Sequence, residues 1–148
     1  MRIDIERINE RIKDIEKAIG RIEAFKSKGK EEFLSIEDNI HIFRSHFLIA
    51  VEAAVSICYH LSAKLLKTTP AEYSGCFELL HNKEMISKEL KDGLVKLSGI
   101  RNRMVHRYEK VDYGFLYENI DSILQILERF IKELAEILRR HNSVSNRG

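Results

Sequence analysis

Proline is nearly absent from this chain of 148 residues: Pro70 is the only one, and there is no tryptophan. An all-β protein of this length needs far more turn punctuation, so helices are expected instead. Cysteine is equally scarce. Cys58 and Cys76 stand far apart in no Cys-x-x-Cys or Cys/His spacing, which predicts two small buried apolar residues kept as thiols in a reducing compartment. Charge of one sign is missing too. Lys and Arg number 25 against 23 Asp and Glu, a formal net charge of +2, too little for nucleic-acid binding by bulk electrostatics. Any case for such a partner must rest on local clustering. The opening MRIDIERINE alternates charge with isoleucine and has no apolar leader, and the longest apolar run, Phe47 to Tyr59, is interrupted by Glu52 and too short for a bilayer. These absences predict a cytoplasmic chain with no membrane partner. With 44% hydrophobic residues and no repeat or linker, residues 1–148 are expected to form one domain with its own core.

What is present is helical periodicity. Ile5, Ile8, Ile12, Ile15, Ile19 and Ile22 recur at spacings of three and four, one face of a helix ending around Gly29 that serves either as core packing or as a dimer seam. A long second helix is predicted from about Glu31 to Lys67; its middle, FLIAVEAAVSICYHL, is apolar almost all round and marks the central element of a bundle. Thr69-Pro70-Ala71-Glu72 resembles a helix start, with Thr69 as cap, so a third helix is expected from Pro70 to Asn82. Ser87 caps a fourth, carrying Leu90, Leu94, Leu97, Ile100 and Met104, and Asp112 a fifth, carrying Leu116 through Ile137. Residues 142–148, in the polar tail HNSVSNRG, are expected to fray. The expected fold is all-α, an antiparallel bundle of about five helices.

Polar chemistry concentrates at one place. Arg101, Asn102, Arg103, His106, Arg107, Tyr108 and Lys110 fall within ten positions. On a straight helix Arg101 and His106 would lie about 140° apart, at about 100° per residue. Either the helix ends near His106 or a second copy completes a site. A histidine with its near-neutral pKa can take the proton of a ribose 2′-hydroxyl and return one to a leaving 5′-oxygen. An arginine can fork onto a phosphate and stabilise the charge building there, and Asn102 can orient either group. No metal is needed for that chemistry, and His41, His46, His60, His81 and His141 are scattered without a metal-binding spacing. The competing reading is that Arg, His and Lys merely complement a helix C-terminus. His46 and His60, in the apolar helix, read as core or interface histidines. Arg44, at the entrance to that helix, is either a solvated edge or part of the site. Arg129, Lys132, Arg139 and Arg140 form either the wet face of the last helix or a phosphate-binding surface.

The pattern Arg101-x4-His106-x-Tyr108, written RNRMVHRY, resembles the signature of the HEPN superfamily and of its HepT-like toxin branch. The flanking segments HFLIAVEAA, PAEYSGCFELL and KVDYGFLYENI follow in the matching order, so the resemblance extends over most of the chain. It implies a dimeric HEPN-like bundle in which the motifs of two subunits meet in one cleft. It implies further a metal-independent, cofactor-free endoribonuclease toxin, with Arg101, Asn102 and His106 catalytic. Arg103, Arg107, Lys110 and Arg44 would be available to hold RNA, whether tRNA or mRNA. The partner implied is a nucleotidyltransferase (MNT) antitoxin of a type VII-like pair that adds AMP to the motif tyrosine, by position Tyr108; Tyr113 and Tyr117 do not match. Added bulk and phosphodiester charge at Tyr108 would exclude the RNA phosphate. The chain departs from the branch at Ser56, where members often carry an acidic residue shortly after the position of Glu52. A catalytically inactive HEPN-type module that binds RNA, nucleotide or partner is the alternative.

Overall fold

Seven α-helices and no strand make up the described part of a computed structural model, which covers residues 2–106 and 110–147. Asp4 caps the first helix, α1 (Ile5–Glu23), by accepting from the Arg7 N–H at 3.0 Å. Its isoleucine face is intramolecular: Ile8, Ile15 and Ile22 are buried, and the helix packs mainly on α3. These three positions of the stripe are core packing, and Ile5, Ile12 and Ile19 are half-buried beside them. A 3-10 turn, Ala24–Lys28, ends at Gly29, whose φ of 81° suits a residue without a side chain.

The single helix expected over 31–67 is divided. Its first part, α2 (Lys30–Ser35), stops at Ile36, which is extended (φ −108°, ψ 110°), and α3 (Glu37–Leu61) begins there. The cause is local polar competition. Ser35 Oγ and Asn39 Nδ2 both donate to the Glu32 carbonyl, at 3.0 and 3.5 Å, offering it partners other than the helical ladder. A π-helical turn, Ser62–Leu66, then closes on the left-handed Lys67. By length and composition Glu37–Leu66 is apolar enough to cross a membrane, yet Phe43, Phe47, Ala50, Ala54, Ile57 and Leu61 are covered by neighbouring helices. It is the core of the bundle. Phe33 and Phe43 meet edge-on at 5.6 Å, with Phe25 5.2 Å from Phe33, an arrangement that suits the ring quadrupole.

The third expected helix starts late. Thr69 and Pro70 lie outside it, and α4 (Tyr73–Asn82) begins after an extended Glu72 that makes no side-chain cap. The expectation of reduced cysteines is also overturned: Cys58 on α3 and Cys76 on α4 are joined by a disulfide. They are buried as expected. The turn after α3 folds α4 back until their Cα atoms lie 6.2 Å apart, within bridging range.

Ser87 and Asp112 cap as predicted, accepting from the N–H groups of Leu90 (3.2 Å) and Phe115 (3.0 Å). Ser87 starts α5 (Lys88–Val105), and its N–H and Oγ both donate to Glu133 at 2.7 Å, tying that end to the last helix. A Cβ on Gly93 would come within 2.7 Å of Ile126, so the glycine permits close approach of α5 to that helix. The expected fifth helix is interrupted at one residue. Asn119 Nδ2 donates to the Phe115 carbonyl at 2.8 Å and separates α6 (Tyr113–Glu118) from α7 (Ile120–Arg147). Helix α7 continues through Arg147, beyond the start of the polar tail. Three of its basic residues face acids: Arg129 pairs with Glu89 and Glu133, and Arg139 and Arg140 with Glu136, as a solvated face would.

Replacing Cys58 and Cys76 by serine removes a cross-link between residues 18 apart. The expected loss is about 3 kcal/mol of unfolding free energy, or roughly 6–12 °C in Tm for a chain of this size. Thermal melts of the variant and the oxidised parent test it, and equal midpoints would show that the bridge does not form.

Candidate active site

Helix α5 ends at Val105, and His106 leaves its path with an extended backbone (φ −85°, ψ 117°). That turn-out resolves the angular conflict between Arg101 and His106 within one chain. Both residues, with Asn102, line a cleft of about 330 Å³ whose opposite wall is Glu72, Tyr73 and Ser74 at the start of α4. Three of the residues singled out from the sequence therefore come together.

Arg101 is held on three sides. Its Nε donates to Glu52 Oε1 at 2.6 Å, linking α5 to α3. Its Nη1 donates to Asn102 Oδ1 at 3.2 Å, so Asn102 orients the arginine. The guanidinium carbon stands 4.8 Å from the centre of the Tyr73 ring, a cation–π contact from α4. The Tyr73 hydroxyl donates in turn to Glu52 Oε2 at 2.9 Å. Burial pushes the Tyr73 phenol above its ordinary range and the bond to Glu52 reinforces the shift, so at neutral pH it stays a donor. Among the described residues Arg101 Nη2 has no hydrogen-bond partner, which leaves donors of a fixed guanidinium directed at whatever anion enters the cleft.

Other expected residues take different places. Arg44 does not line the cleft; its Nη2 donates to the Met104 carbonyl at 3.1 Å, a cation on a carbonyl in the last turn of α5. Arg103 and Lys110 are exposed and likewise outside the cleft lining. Arg107 and Tyr108 lie outside the described residues. Ser56 opens on a second groove, of about 320 Å³, shared with Arg11, Asp14, Ile49, Glu52 and Ala53, so Glu52 stands between two depressions. Tyr113 packs edge-on against Phe43, and Tyr117 donates to the Lys26 carbonyl. Burial lowers the pKa of His60, and the neutral ring accepts the Asp4 N–H at 2.9 Å, a structural role. No group of three or more His, Cys, Asp or Glu among the described residues is arranged to hold a metal ion.

Sequence reasoning missed Tyr73 and used Glu52 only as a landmark. For Glu52 a signal existed: as the one charge inside FLIAVEAAVSICYHL it marks a half-exposed edge of that helix, open to a partner from a neighbouring element. Tyr73 carried no comparable signal.

Comparison with known proteins gives a consistent family. A family model described as "Ribonuclease HepT-like" matches residues 15–134. The chain is 26% identical over 124 residues to the mRNA nuclease HepT of Shewanella oneidensis, covering 82% of this chain and 90% of that one. It is 23% identical over 131 residues to the tRNA nuclease HepT of Aphanizomenon flos-aquae, covering 88% and 89%. In fold it matches the tri-AMPylated Shewanella oneidensis HEPN toxin, solved in complex with its MNT antitoxin, with a TM-score of 0.81, 23% identity and coverage of 88% and 97%. YutE of Bacillus subtilis, described as a cytosolic protein of unknown function, matches with a TM-score of 0.81, 17% identity and coverage of 94% and 93%.

The Arg44 contact generates a stability prediction. Arg44→Met keeps the aliphatic stem and removes the cation, so about 1 kcal/mol should be lost in urea unfolding. An unchanged midpoint would show that the contact to Met104 contributes nothing.

Proposed function

Because the chain belongs to the HepT-like ribonuclease family, we propose that it is a metal-independent endoribonuclease, the toxin of a type VII-like toxin–antitoxin pair acting in the cytoplasm. The observation that carries this reading is the shared cleft of Arg101, Asn102 and His106, with the arginine clamped before any substrate arrives. Arg101 holds the scissile phosphate and meets the charge that develops on its oxygens. His106 removes the proton of the neighbouring 2′-hydroxyl, whose oxygen attacks phosphorus; the bond to the 5′-oxygen breaks, and that oxygen leaves with a proton. The products are a 2′,3′-cyclic phosphate and a free 5′-hydroxyl. Asn102 fixes the arginine, and Arg103, Arg107 and Lys110 are candidates for flanking phosphates.

The active form is a homodimer. Ile42 and Ile49 are exposed seven residues apart on α3, and Val105 is exposed at the end of α5, apolar surface near the cleft that a second copy would cover. The antitoxin partner is an MNT nucleotidyltransferase that adds AMP to Tyr108, the motif position; the solved Shewanella complex of AMPylated toxin and MNT antitoxin supports this assignment.

The test is incubation of the purified protein with tRNA and with mRNA in EDTA, alongside His106→Ala and Arg101→Ala, with analysis of product ends. Cleavage by the parent, loss of about 10² or more in rate in each variant, and cyclic phosphate ends are expected. No cleavage of either RNA, with Tyr108 nevertheless labelled by an MNT enzyme and ATP, would make the chain an inactive module instead.

A further inference from the structure

The three contacts around Arg101 differ in what they leave open. A carboxylate that reaches the Nε edge of an arginine ordinarily closes a fork, one oxygen on Nε and the other on the adjacent Nη2. Glu52 does not do so here. Its Oε1 takes Nε at 2.6 Å, while its Oε2 accepts the Tyr73 hydroxyl at 2.9 Å. The Tyr73 ring also covers one face of the guanidinium, 4.8 Å from its carbon, and Asn102 takes Nη1. One nitrogen, Nη2, is left without a partner among the described residues, in a group whose plane is fixed by three neighbours from three helices.

We infer that Tyr73 is a positioning residue for RNA cleavage: by occupying the second oxygen of Glu52, its hydroxyl keeps that carboxylate from forking across Arg101 and so reserves Nη2 for the substrate phosphate. The inference rests on the ribonuclease reading proposed above. Tyr73 touches neither the phosphate nor the attacking oxygen; it acts through Glu52 on Arg101. Without the hydroxyl, Glu52 rotates to satisfy its own second oxygen and takes Nη2, the same donor the phosphate needs. The arginine stays in place and stays charged, but its anion-binding edge is already engaged. The ring's part is separate: it holds the guanidinium plane by stacking, and phenylalanine can do that equally well.

The separation of ring from hydroxyl makes Tyr73→Phe the decisive variant, since it keeps the packing of α4 and deletes one oxygen. Its kcat/KM for RNA should fall about tenfold, with kcat lowered as well as KM raised, because a contact that meets the charge developing on the scissile phosphate is lost while His106 is untouched. With Glu52→Gln already present, Tyr73→Phe should cost less than twofold, since an amide has only one acceptor oxygen and cannot close the fork. A purely structural hydroxyl would give the same factor in both backgrounds, and that result, or a parent-like kcat/KM for Tyr73→Phe, overturns the inference. A crystal structure of Tyr73→Phe decides it independently of activity: both Glu52 oxygens on Arg101 support it, and a retained single contact overturns it. Should the parent cut no RNA, the functional reading fails, and the crystal structure still judges Tyr73.

Discussion

A carboxylate at the half-exposed edge of the most apolar helix of a bundle, paired with an arginine from a neighbouring helix, decides how the surrounding helices present their chemistry. Glu52 is that carboxylate, and Arg101 answers it from α5 at 2.6 Å. The side chains are 42% and 24% exposed, so the pair is partly solvated and its net contribution to stability is modest. Its importance is geometric. An arginine carries several rotatable bonds and would sample many positions at a helix surface; tied to Glu52, stacked on Tyr73 and bonded to Asn102, it holds one. A fixed charge needs no reorganisation when the phosphate arrives, which is the condition for electrostatic catalysis. The same pair draws together α3, α5 and, through Tyr73, α4.

Much of the bundle could be read from spacing because burial has a period. The isoleucine face of α1, the Leu90 to Met104 stripe and the α7 stripe are buried as their spacings require, and Ser87 and Asp112 cap because an oxygen before an apolar run meets unpaired N–H groups there. Two helix breaks that spacing does not show are local and share a cause. At Ser35 and Asn39, and again at Asn119, a short polar side chain bonds a helical carbonyl and breaks a segment whose apolar pattern runs straight through. Periodicity does not register such competition. The Thr69-Pro70 start failed because the left-handed Lys67 and the extended Glu72 delay α4 to Tyr73. The disulfide was invisible for a different reason: Cys58 and Cys76 meet only because the helix ends at the left-handed Lys67 and α4 folds back onto α3, a return that the cysteine spacing does not register.

The site was legible in one dimension and not in three. Arg101, Asn102 and His106 stand close in sequence, so their clustering and their fit to a family motif were visible before any fold. Whether Arg101 and His106 face one target depended on where α5 ends, and His106 itself is the residue that leaves the helix. Glu52 and Tyr73 are 49 and 28 residues away from Arg101 and reach it only by packing of α3 and α4 on α5. Arg44, a candidate for RNA by its charge, donates to the carbonyl end of α5, the helix whose last turn precedes His106, a contact that its position in the sequence does not announce.

The central claim is that Glu52 sets the arginine for catalysis rather than stabilising the bundle, and Glu52→Gln tests it most directly, with kcat/KM for RNA and Tm measured on the same preparations. The substitution keeps the size and one acceptor oxygen but removes the charge that holds Arg101. The account predicts a loss of about 10- to 10²-fold in kcat/KM, the range that small misplacements of a catalytic group produce, with a melting midpoint close to that of the parent. Cleavage at the parental rate, or a loss of activity matched by a collapse of Tm, would contradict it.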